Sequence, residues 1–172
     1  MSTIREIQQR VKQLYNAAHE PATNVPLSVQ AFQWLAFARE YATAATLLAK
    51  HEHLMLPRLQ LTGQALELSL KACLAAAGSR PPLEHDLVAL YELIESRGFH
   101  LSEFEQAAIV HLAHFYDRDL TTSTKYKTRY PAPANEPLGG AIPEHSTYAQ
   151  LVQSLCEQAE RALHSAFPDG DA

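Results

Sequence analysis

The sequence predicts an all-α protein, an up-and-down bundle of four or five helices preceded by an N-terminal helical arm. Apolar residues recur at steps of three and four through most of the chain, and no stretch alternates as a half-buried strand would. Glycine is scarce, at 6 of 172 residues, and aliphatic side chains and alanine dominate, a balance that favours helix over sheet.

The arm comes first. Ile4, Ile7, Val11, Leu14 and Tyr15 share one face of a helix over residues 1–20, and PATNVPLS then supplies a turn. A strong helix follows from Ser28 to about Lys50. Trp34, Phe37, Tyr41, Ala45 and Leu48 are expected to form its core face, while Ala38, Ala42, Ala44 and Ala49 thin it for close approach by a neighbour.

The next helix organises the chain. Leu66, Leu70, Cys73, Leu74 and Ala77 align on one stripe, Pro57 suits its first turn, and Gly78 stops it ahead of Pro81 and Pro82. Glu67 and Lys71 stand one turn apart, acid before base, a spacing that allows an ion pair. Gly63 marks a tight helix crossing. His85-Asp86-Leu87 opens a shorter helix, with the aspartate favoured by the helix dipole, and Gly98 ends it.

Ser102 and Glu105 form a capping box for a helix running to about Leu120, with Phe104, Ala108, Leu112 and Phe115 as its core face. The segment TTSTKYKTRYPAPANEPLGGAIPEHS has no helical period, and irregular loops of this length are commonly functional or disordered. Thr147 and Gln150 are expected to cap the last helix, whose stripe is Tyr148, Leu151, Val152, Leu155, Ala159 and Leu163. Residues 167–172 read as a frayed tail.

The totals bound the function. One compact domain fits the length, and a formal charge of −5 argues against broad electrostatic binding of nucleic acid while leaving room for a local basic patch. Cys73 and Cys156 read as buried thiols in a reducing compartment. No signal-peptide pattern and no run of the ~20 apolar residues needed to span a bilayer is present, so a cytoplasmic protein without a membrane segment is expected.

Three segments, ALELSLKACLAAAG, HDLVALYELI and KYKTRYPAP, resemble the HEPN family of small helical bundles, over residues 28–166. The resemblance implies binding of RNA or a nucleotide, a homodimer, and in catalytic members a metal-independent endoribonuclease of toxin–antitoxin or phage-defence type, often beside a nucleotidyltransferase partner. Such members carry an arginine, four to six residues, and a histidine. Arg80 and His85 fit that spacing, with His85 as acid/base and Arg80 stabilising the phosphate, although two prolines fill the gap and the pair precedes an earlier helix than the family's motif does.

Lys125, Lys127, Arg129 and Tyr130 form the dense basic cluster of an acidic chain, with a chemistry suited to phosphates and stacked bases. A structural alternative stands beside it, in which Arg129 meets a buried acid such as Glu67 and Tyr130 closes the core. His111, His114 and Asp117 lie along one helix side, but helix histidines are ordinarily interior or boundary residues, and neither metal nor cofactor is expected. Phosphate loops, nucleophile elbows and Cys-x-x-Cys pairs are missing from the sequence. Two readings lead, an RNA- or nucleotide-binding bundle with possible ribonuclease activity and a non-catalytic helical protein-interaction module, and a third, a metal-dependent bundle enzyme, would require stoichiometric metal after purification without added ions.

Overall fold

The computed structural model describes residues 25–83, 85–116 and 144–166. Within them lie five α-helices and no strand: α1 (Leu27–Leu48), α2 (Met55–Ala76), α3 (Leu87–Glu95), α4 (Glu103–Tyr116) and α5 (His145–Ala166), with a single 3₁₀ turn at Glu52–Leu54 between the first two. The expected arm at 1–20, the tail at 167–172 and the basic segment with Lys125, Lys127, Arg129 and Tyr130 lie outside the described residues.

α2 is the axis of the bundle and touches each of the other four helices. From Ala65 to Ala76 every residue except Leu68 is buried, as befits a helix covered on all sides. It ends as its sequence predicts. Gly78 takes φ +72°, and the amides of Gly78 and Ser79 donate to the carbonyls of Ala75 and Leu74, both at 2.9 Å. That left-handed stop needs glycine, and Gly98 repeats it after α3 with φ +87°.

The caps of α3 and α4 also follow from the sequence. Asp86 Oδ1 accepts from the Ala89 amide at 3.0 Å. Ser102 and Glu105 exchange bonds in a capping box, the Glu105 amide donating to Ser102 Oγ at 3.3 Å and the Ser102 amide donating to Glu105 Oε2 at 2.8 Å.

Three expectations are corrected. α1 is rotated toward its small side chains: Ala45 is buried as expected and Trp34 is half-buried against the core, but Ala31, Leu35 and Ala38 complete the buried face, whereas Phe37 and Tyr41 are 50% and 37% exposed. The small side chains let α1 approach α2 closely, and that extended contact sets the rotation of the helix more strongly than the aromatics do. Phe104 is 68% exposed, because Ile109, Leu112 and Tyr116 centre the core face of α4 about 110° away from it. Thr147 is not a cap. Its amide bonds the Glu144 carbonyl at 3.0 Å, which places it inside the first turn of a helix that already begins at His145.

α5 carries the stripe its sequence foretold, with Tyr148, Leu151, Val152, Leu155, Ala159 and Leu163 all buried. Cys73 and Cys156 are buried free thiols where α2 meets α5, and the Cys73 thiol donates to the Leu155 carbonyl at 3.5 Å. Burial pushes the Cys156 thiol up to about 11 and the Cys73 thiol higher still, so both stay protonated and inert near neutrality. Among the described residues, no helix is long and apolar enough to cross a membrane.

The start of α5 carries a built-in pH dependence. Thr46 Oγ1 donates to the Ala42 carbonyl at 2.8 Å and so meets His145 Nε2, 3.0 Å away, as an acceptor. The imidazole therefore carries its proton on Nε2, and its buried Nδ1 has no hydrogen-bond partner among the described residues. Burial first, and the positive charge of Arg58 second, hold the His145 pKa below its ordinary value of 6.5. The unfolded chain thus takes up this proton at a higher pH than the folded one. His145 costs nothing above pH 6.5 and lowers stability as pH falls from there to its depressed folded value. Urea melts of wild type and His145→Gln should show the wild type losing more stability over that window, and parallel curves would contradict the assignment.

Candidate functional site

A carboxylate buried in the central helix is the natural starting point for chemistry in this bundle. Glu67 is 1% exposed and would be costly there without partners. It has three. Lys71 Nζ donates to Oε1 at 2.8 Å, His85 Nδ1 lies 2.9 Å from the same oxygen, and the Tyr116 hydroxyl donates to Oε2 at 2.8 Å. The Tyr116 oxygen also sits 3.0 Å from the side-chain amide of Gln64.

Each partner comes from a different part of the chain. Lys71 stands one helical turn after Glu67 and is itself buried, so the ion pair that the spacing allows is formed, and in the interior. His85 arrives on the loop that Pro81 and Pro82 carry from α2 to α3, directly before the Asp86 cap. Tyr116 is the last residue of α4 and is buried. Its ring packs directly against Gly63, where a Cβ would overlap the ring carbons. The glycine is the helix crossing its sequence suggested, and it lets the phenol reach the carboxylate one turn further on.

The contact geometry assigns a tautomer. An ionised Glu67 only accepts, so the Nδ1 of His85 donates to it and the neutral ring presents its Nε2 lone pair away from the carboxylate. The His85 side chain is 53% exposed, in contrast to Glu67 behind it. A buried carboxylate backing a half-exposed imidazole holds one ring nitrogen and leaves the other facing solvent, a geometry that can support proton transfer. Tyr116 and Lys71 fix the carboxylate, so the imidazole is oriented from below.

The other sequence candidates are distributed differently. Arg80 is exposed on the same loop and is not among the partners of Glu67. Lys125, Lys127, Arg129 and Tyr130 lie outside the described residues, so the expected meeting of Arg129 with Glu67 does too. His111 Nδ1 lies 2.8 Å from the hydroxyl of Tyr148, whose pKa burial pushes up to about 12. Among the described residues no group of three His, Cys, Asp or Glu side chains is placed to hold a metal, while the side chain of His114 and all of Asp117 fall outside them.

Against known protein families, a model of the HEPN domain matches residues 31–166. The match takes in α1 from its first buried alanine, the whole of the Glu67 cluster, and α5 to its end. The chain belongs to the HEPN family. No curated protein and no solved structure matches it significantly. The all-α bundle is the HEPN fold, and residues 1–30 precede the HEPN match.

Tyr116 and Gln64 are the members of the cluster that sequence reasoning missed. Gly63 was the available signal, since a glycine one turn before a buried acid leaves room for an aromatic ring from another helix.

Two substitutions test the cluster. Glu67→Ala leaves the Lys71 ammonium buried without a counter-charge, and equilibrium unfolding should show a loss of about 3–5 kcal/mol. Tyr116→Phe removes one bond to a charged acceptor and should cost about 1.5–3 kcal/mol. Losses below ~1 kcal/mol for both would mean that the carboxylate does not depend on these partners. Gly63→Ala should also destabilise by about 1–3 kcal/mol through overlap with the Tyr116 ring, despite alanine's better helix propensity.

Proposed function

We propose that this HEPN protein binds RNA and cleaves it without a metal, with His85 as the acid/base and Glu67 as the group that orients it. The observation that carries this reading is the 2.9 Å contact between His85 Nδ1 and a carboxylate that is itself buried and held by Lys71 and Tyr116. A carboxylate–imidazole pair of this kind presets the tautomer and stabilises the imidazolium formed when Nε2 takes a proton.

The chemistry follows from that proton. His85 Nε2 removes the proton of a ribose 2′-hydroxyl, whose oxygen attacks the adjacent phosphorus. The bond from phosphorus to the 5′ oxygen breaks, leaving a 2′,3′-cyclic phosphate and a 5′-hydroxyl. Arg80, exposed on the same loop, offers a guanidinium to the charge that builds on the phosphoryl oxygens. In a homodimer two copies of His85 flank the phosphodiester, a neutral ring accepting the 2′ proton at Nε2 and the other copy, in its imidazolium form, supplying its Nε2 proton to the departing 5′ oxygen.

Lys125, Lys127, Arg129 and Tyr130 are our candidates for holding the strand, through phosphate contacts and base stacking. A cytoplasmic setting agrees with two free, buried cysteines. Within a toxin–antitoxin or defence system, a nucleotidyltransferase partner would restrain the activity. The competing reading, a non-catalytic interaction module, draws on the same contact, because a histidine bonded to a buried acid also ties a loop to its bundle.

Cleavage of a mixed single-stranded RNA pool in chelator separates the two. Wild type should cut, and a folded His85→Ala protein should be slower by roughly 10²–10⁴-fold, the usual contribution of a positioned acid or base. Arg80→Ala should slow cleavage without affecting stability. Intact RNA with wild type, or equal cutting by wild type and His85→Ala, would hand the protein to the interaction-module reading.

A further inference from the structure

A recess of about 350 Å³ opens where the end of α2, the turn after α3 and the second half of α5 meet, and two arginines line it. Arg97 comes from the turn and Arg161 from α5, with Gln158 three positions before Arg161 on the same side of that helix. Small residues keep the space open: Ala77, Gly98 and Ala162.

The turn that carries Arg97 is firmly held. Gly98 takes φ +87°, the Arg97 and Gly98 amides donate to the carbonyls of Ile94 and Glu95, both at 3.0 Å, and the buried Phe99 anchors the turn in the core. Those backbone donors are already occupied, so the groups left for a ligand are side chains.

Both guanidiniums lack the partners that arginines at helix ends ordinarily take, which are the last carbonyls of a helix or a nearby acid. Among the described residues the Arg97 guanidinium makes no hydrogen bond or ion pair. Arg161 has a 4.0 Å approach to Glu157, but both side chains are well exposed and such a pair is weak. In a chain whose formal charge is −5, two arginines lining one recess call for an anion.

We propose that this recess binds a phosphate group, carried by a free nucleotide or by an RNA strand. A guanidinium presents planar pairs of N–H donors that match phosphate oxygens, and two of them supply the charge as well as the geometry. Gln158 adds a neutral donor, whose Nε2 makes a long 3.5 Å contact to Ser154 Oγ. The site is separate from His85. Ala77 lies ten residues beyond Glu67, about 15 Å along the axis of α2, too far for one phosphate to touch both places. A free nucleotide here needs nothing from the ribonuclease reading, whereas an RNA strand rests on it and would be gripped at a second point away from the bond that breaks.

Proton–nitrogen NMR of the full-length protein reads the site through the Nε–H signals of Arg97 and Arg161, assigned with Arg97→Lys and Arg161→Lys. Both positions are exposed, so these variants should fold. Three probes are titrated at constant ionic strength: inorganic phosphate, adenosine 5′-monophosphate, and a short 2′-O-methyl RNA without terminal phosphates, which attack by a 2′-hydroxyl cannot cut. Saturable shifts of both signals with inorganic phosphate, missing with acetate, are expected. Arg161→Ala should weaken the phosphate response of Arg97 by roughly tenfold or more. Shifts with the nucleotide but not the RNA would assign the site to free nucleotides, and shifts with the RNA would assign it to the strand. An absence of saturable shifts with all three probes, an equal response to acetate, or an Arg97 response unchanged by Arg161→Ala would overturn the proposal. RNA cleavage by a wild type whose Arg97 and Arg161 signals stay unmoved would remove this site and leave the His85 reading intact.

Discussion

The bundle depends on one buried charge. Glu67 sits in the middle of the helix that all others touch, and its two oxygens are satisfied by a lysine from its own helix, a histidine from the following loop and a tyrosine from α4. Removing a carboxylate from water is costly, and only a complete set of partners offsets the cost. The requirement therefore propagates outward: it fixes the loop that carries His85, the end of α4 that carries Tyr116, and the glycine that makes room for the ring.

The same constraint links packing to chemistry. A surface histidine would rotate freely and populate both tautomers, whereas His85 is tied through Nδ1 to a group that cannot itself move. The solvent-facing half of the imidazole is thus delivered in a defined orientation by residues that solvent does not reach. Residues 31–166 assign the chain to the HEPN family, and on the ribonuclease reading proposed above His85 would be the group that moves the proton.

Much of this was legible in the sequence where spacing alone decides. The α2 stripe, the Glu67–Lys71 pair, the stops at Gly78 and Gly98, the Asp86 cap and the Ser102–Glu105 box all depend on residues within a few positions of one another. Where the outcome depended on a neighbouring helix, spacing was not enough. Trp34, Phe37 and Tyr41 make as regular a stripe as any in the chain, yet Ala31, Ala38 and Ala45 face α2, because close approach between backbones rewards small side chains. Tyr116 was invisible as a ligand of Glu67 for a related reason. The two are 49 positions apart, and only the fold brings them together. Arg80 and His85, five positions apart, share a loop without sharing a partner in the buried acid.

The most direct test of the account is the tautomeric state of the His85 ring. Long-range proton–nitrogen NMR spectra of the full-length protein, with His85 assigned by comparison with His85→Gln, report which ring nitrogen carries the proton above the titration range. The account predicts a single Nδ1–H tautomer that is lost in a folded Glu67→Gln protein, where the neutral amide no longer demands a donor. An Nε2–H ring in the wild type, or a tautomer mixture unchanged by Glu67→Gln, would contradict the claim that a buried carboxylate sets the chemistry of this surface histidine.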